Sequence, residues 1–87
     1  MARGARARAR APRGLSARKQ ADIAHRVAGM TSRQILEWMD TVGSAMARAI
    51  MDYQQLRDLR SLDEISVGLY TLQLMVDKLE DDKLEEG

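Results

Sequence analysis

From Ile35 to Leu56 the apolar side chains recur in alternating steps of four and three: Ile35, Met39, Val42, Met46, Ala49, Tyr53 and Leu56. A mean period of 3.5 residues keeps these side chains on one stripe of an α-helix, whereas a strand would throw them alternately to both faces. Leu36 and Ile50 widen the stripe, and Glu37, Asp40, Ser44, Arg48, Asp52 and Gln55 occupy the other side, with Arg48 and Asp52 spaced as an i, i+4 ion pair. The stripe begins behind a start signal. Thr31 and Gln34 form a T-x-x-Q capping box, in which hydroxyl and amide satisfy the free N–H groups of a first turn, and Met30 and Ile35 stand in hydrophobic-staple positions. These features predict a helix over about residues 32–59.

Ser61 and Glu64 repeat the pattern as S-x-x-E, followed by a second heptad stripe of Leu62, Ile65, Leu69, Leu72, Val76 and Leu79. This predicts a second helix over about residues 62–80, and the two together an all-α hairpin. Leu56, Leu59 and Leu62 advance in steps of three with no Gly or Pro between Leu59 and Leu62, so one continuous helix carrying a stammer is the alternative. The expected helix interface comprises Met39, Val42, Met46, Ala49, Tyr53 and Leu56 from the first stripe and Ile65, Leu69, Leu72 and Val76 from the second. Small residues from Gly43 to Ala49 predict the closest helix contact there. The acidic tail from Asp77 to Gly87 opposes the helix macrodipole, which predicts fraying after about Leu79.

Upstream, residues 15–29 read as a short, weak helix with Ser16 as N-cap and Gly29 as C-cap, its apolar face limited to Leu15, Ile23 and Val27. Residues 1–14 are low-complexity, interrupted by Gly4, Pro12 and Gly14, and too poor in apolar surface to offset the entropy of ordering. They are expected to be a disordered basic arm.

Size and composition bear on assembly. A chain of 87 residues without Phe, and with one Trp and two Tyr, has little with which to build a core of its own. One hairpin leaves much of its apolar stripe exposed, so dimerisation into a four-helix bundle is expected. No apolar run reaches transmembrane length, and the absence of Cys excludes disulfides and thiolate metal sites. A cytoplasmic protein is the default expectation.

Residues suited to catalysis are scarce. His25 stands in the weak helix without a neighbouring Cys or paired carboxylate, and no phosphate loop, G-x-G-x-x-G or H-x-x-x-H pair occurs. Glu80, Asp81, Asp82, Glu85 and Glu86 lack the glycine and ligand spacing of a calcium loop and read as a solvated tail. Met39, Met46, Met51 and Met75 suit an adaptable groove but, at helical spacing, more often fill a core. No enzyme, metal or cofactor is expected.

The formal charge of +1 conceals a division: residues 1–33 carry nine Lys/Arg against Asp22 alone, a net +8, and residues 34–87 carry a net −7. Arg3, Arg6, Arg8, Arg10 and Arg13 form the expected polyanion-binding group, because guanidinium groups bind phosphates bidentately. No aromatic residue interleaves them to stack on bases, so the chemistry favours nonspecific contact. Anionic lipid, an organellar transit role and a merely solubilising tail are competing uses. The leader before Met30 also resembles translated GC-rich upstream sequence, a reading in which Met30 is the start and the arm has no role. Two function classes follow: an adaptor tethered through its arm to nucleic acid or another polyanion, or a pure protein-binding module that docks its helical face into a larger complex and in which the arm is dispensable.

Overall fold

The computed structural model describes residues 15–86, with the side chain of Glu86 excepted. The expected disorder of residues 1–14 and the five arm arginines lie outside the described residues. Within them the regular structure is entirely helical: α1 spans Ala17–Ala28, α2 Ser32–Leu56 and α3 Leu59–Glu86. Helices α2 and α3 form an antiparallel hairpin, and α1 packs against α3.

The first two helix starts follow the local chemistry. Ser16 Oγ accepts the Lys19 N–H at 3.2 Å, capping α1. At α2 both halves of the capping box form: Thr31 Oγ1 accepts the Gln34 N–H at 3.2 Å, and Gln34 Oε1 accepts the Thr31 N–H at 2.9 Å. Each bond satisfies a donor that the helix start leaves without a partner.

The hairpin turn departs from expectation. Helix α2 ends at Leu56 rather than near 59, because Arg57 adopts a left-handed conformation with φ 53° and its N–H bonds Tyr53 O at 2.8 Å. This turns the chain without a glycine, at some conformational cost to a side chain with a Cβ. Asp58, not Ser61, then caps α3, its Oδ1 accepting the Ser61 N–H at 3.4 Å. Ser61 lies inside the helix at 5% exposure, so the S-x-x-E pattern is a coincidence of spacing. The break at Arg57 and Asp58 settles the hairpin against a continuous helix.

The far end of α3 also differs, continuing to Glu86 rather than stopping near 80. Lys78 Nζ meets Asp82 Oδ1 at 3.2 Å, and the Ser32 hydroxyl donates to Asp82 Oδ2 at 3.4 Å. Asp82 is thereby held to the start of α2, and Lys83 places a cation in the last turn.

The core is small. Val27, Ile35 and Met75 are buried together, with Ile23, Met30, Trp38, Met39, Val42, Leu72, Leu74 and Leu79 partly buried around them, and Ala49 is buried farther along α2. The helices approach closely at Gly68 of α3: a methyl group there would lie 2.6 Å from Met46 Sδ. Met46 is the middle residue of the small-residue segment of α2 where close helix contact is expected, while Gly43 takes no part in it, since nothing stands within 4 Å of where its Cβ would be. Buried Ser61 and Thr71 flank Gly68 on this face of α3, and Thr71 Oγ1 donates to Val67 O at 2.9 Å. Such local bonding allows polar groups to stand where leucine was expected.

The two glycines should respond oppositely to substitution. Gly43→Ala removes backbone freedom at a helical site that is open within the single chain, and should raise the unfolding free energy of the monomer, read from urea titration, by up to about 1 kcal/mol. Gly68→Leu must displace Met46 and should cost roughly 2–3 kcal/mol. Equal effects at the two sites would contradict this packing.

A second expectation concerns Asp58. The Ser61 side-chain hydroxyl, its largest influence, holds the Asp58 carboxyl below the ordinary carboxylate value, with backbone N–H bonds adding to the effect. A depressed folded-state value stabilises the fold above the ordinary carboxylate range, and that contribution is lost as pH falls through the folded value. Asp58→Asn keeps a capping oxygen but no charge. Urea midpoints measured from about pH 6 down to about pH 2 should fall less steeply for Asp58→Asn than for the native chain.

Candidate interaction surface

Two heptad lines on the hairpin define its inner and outer faces. The inner line of α2 runs through Ile35, Val42 and Ala49, and that of α3 through Ser61, Gly68 and Met75, all buried except half-buried Val42. One residue after each lies a second line, Leu36, Gly43 and Ile50 on α2 and Leu62, Leu69 and Val76 on α3. These apolar side chains are exposed: Leu36 58%, Ile50 45%, Leu62 36%, Leu69 55% and Val76 36%.

Geometry places both outer lines on the same side. At about 100° per residue, position i+1 lies a quarter-turn from position i in a fixed rotational sense. Two helices that face one another and run antiparallel bring those quarter-turns to one face of the pair. The Ser32–Asp82 hydrogen bond and the Gly68–Met46 approach define the same register. In it the outer residues form three layers, Leu36 with Val76, Gly43 with Leu69, and Ile50 with Leu62, each pair within about 3 Å of one level. A shallow groove lined by Val76, Leu79, Glu80, Lys83 and Leu84 continues the face past its first layer.

Helix α1 covers the opposite side. Val27 joins the Ile35–Met75 cluster, which Trp38 and Leu74 also flank, and the Arg26 guanidinium lies 4.7 Å from the Trp38 ring centroid. Cation–π attraction of this kind adds to the thin apolar contact of α1. Arg18, Lys19, His25 and Arg26 are exposed on α1, so the basic character of the leader continues onto the folded part.

The structure distributes the sequence-expected interface residues between two environments. Ala49 is buried, and Met39, Val42, Met46, Tyr53, Ile65 and Leu72 are half-buried. Leu69 and Val76 belong to the outer line, and Leu56 is 66% exposed at the turn. Met75, read from the sequence as core-filling, is buried as expected, whereas Gly68, which brings α3 against α2, has no place in the sequence-expected interface. The signal for Gly68 is its place one residue before Leu69 of the leucine stripe, but a glycine is a weaker hydrophobic marker than the leucine beside it.

Among the described residues no group of three or more His, Cys, Asp or Glu is placed to hold a metal ion, and no helix is long and apolar enough to cross a membrane. Asp82 of the acidic tail is engaged with Lys78 and Ser32.

Trp38 is the sole tryptophan and reports on the α1 junction. Val27→Ala should loosen α1, shifting Trp38 emission to the red while the α2–α3 helicity seen by circular dichroism is largely kept. Unchanged emission in that variant would show that α1 docking does not depend on Val27. No protein-family model matches this chain, and neither curated proteins nor solved structures yield a match.

Proposed function

We propose that this chain is a small, non-enzymatic, self-associating helical adaptor of the cytoplasm whose arginine-rich arm contacts nucleic acid or another polyanion. The observation that carries this reading is the charge division, net +8 over residues 1–33 and net −7 over residues 34–87. The exposed Arg18, Lys19 and Arg26 of α1 extend the positive region beyond Arg3, Arg6, Arg8, Arg10 and Arg13. A region so charged binds phosphates by releasing their counterions, without reading sequence. The acidic hairpin is repelled by the same polyanion and is left to present its apolar face.

A second reading rests on a different observation, the uncovered face of Leu36, Ile50, Leu62, Leu69 and Val76. An apolar helical face rimmed by polar residues suits a pure protein-binding module, such as an inhibitor, an assembly chaperone or a structural accessory subunit. In that case the arm is dispensable.

Duplex binding measured against salt separates the two. With the arm on phosphates, deleting residues 1–14 should reduce the slope of log K against log salt by up to roughly 4–5 units. An unchanged slope would remove the polyanion reading and leave the module reading in place.

A further inference from the structure

We infer that the outer face of the hairpin is occupied by a second copy of this chain, related by a two-fold axis parallel to the helices, with Leu69 of each copy seated over Gly43 of the other. This rests on the self-associating part of the reading above and specifies its surface, its symmetry and its register.

Area is the first argument. From Leu36 to Gln54 the outer face of α2 runs about 27 Å at ~1.5 Å per residue. Two helices about 9 Å apart present a strip roughly 20 Å wide. With side-chain relief this amounts to about 700–800 Å², close to what one partner contributes to a standard stable interface. Ala47 of α2, and Ser66 and Gln73 of α3, also lie on this face by helical position, and Asp40, one heptad before Ala47, is the single charged residue that this position brings to the strip between its first and last layers. Charge depletion is characteristic of interface cores.

Complementarity of size is the second argument, and it selects the symmetry. An axis parallel to the helices lays α3 of one copy across α2 of the other, antiparallel and at the same level. Its layers then pair Leu36 with the other copy's Val76, Gly43 with Leu69, and Ile50 with Leu62. In the middle layer the gap beside Gly43, where nothing lies within 4 Å of a Cβ position, receives a leucine that is 55% exposed in the single chain. The axis perpendicular to the helices would instead set α2 on α2 and glycine on glycine, leaving a void. The favoured arrangement is an antiparallel four-helix bundle, with small and large side chains interdigitated and each α1 on an outer face. The two arms are therefore attached on opposite sides of the assembly.

Sedimentation of the full chain at about 5–200 µM should give a species of twice 9.8 kDa. Leu69→Asp should give a monomer of unchanged helicity, because Leu69 makes little of the single-chain core. Gly43→Leu should weaken self-association by about 10- to 100-fold through collision with the other copy's Leu69. Adding Leu69→Ala to that variant should restore most of the loss. A native chain that stays monomeric over this range overturns the inference. So does a Gly43→Leu variant that associates as the native chain does, or one that Leu69→Ala fails to rescue. The salt slope of duplex binding reports on the arm independently, so failure of either reading is recognised separately.

Discussion

The approach of Met46 to Gly68 governs the arrangement of the hairpin. A side chain at residue 68 would hold the two helices apart, whereas glycine lets the thioether of Met46 lie against the α3 backbone. The flexibility of methionine suits it to such an irregular gap. Once Gly68 faces α2, a rigid helix also turns Ser61 and Met75 toward α2, and it turns Leu62, Leu69 and Val76 a quarter-turn away. The exposed leucines are thus a consequence of the contact that closes the hairpin.

A single chain closed this way buries few large side chains, with Ile35 and Met75 the largest of them. Small domains have little stability in reserve, and exposed apolar side chains set in register promote association. Core formation and the outer face are therefore linked. The residues that make the hairpin narrow are also those that leave a regular leucine line uncovered, and helix α1, on the other side, protects only the end of the hairpin near Trp38 and Leu74.

Electrostatics divides the molecule along a different direction. Positive charge collects on the leader and on exposed positions of α1, and negative charge on the two long helices. Among the described residues, local ion pairs join Lys78 with Asp82, both half-buried, and Arg33 with Glu37 at 3.9 Å on a largely exposed surface. An exposed pair such as Arg33 with Glu37 contributes little to stability. Charge here acts mainly on what the molecule approaches, and packing decides what it forms.

The sequence by itself determined the helical class, the Ser16 and Thr31 caps and the inward stripe of α2. Each rests on interactions within about four residues: a hydroxyl bonding a nearby N–H, or side chains repeating at the helical period. Tertiary structure decided the rest. Asp58 displaced Ser61 as the cap because the left-handed turn at Arg57 set where α3 begins. Gly68 and Met75 displaced Leu69 and Val76 from the inner line because close helix approach favours the smallest residue at the crossing, a preference set by the partner helix. The extension of α3 to Glu86 brings Asp82 within hydrogen-bond distance of Ser32, fifty residues earlier in the chain. Hydrophobic periodicity defines a helix and the width of its apolar stripe, but where two lines one residue apart are both apolar, only the neighbouring helix selects which of them is buried.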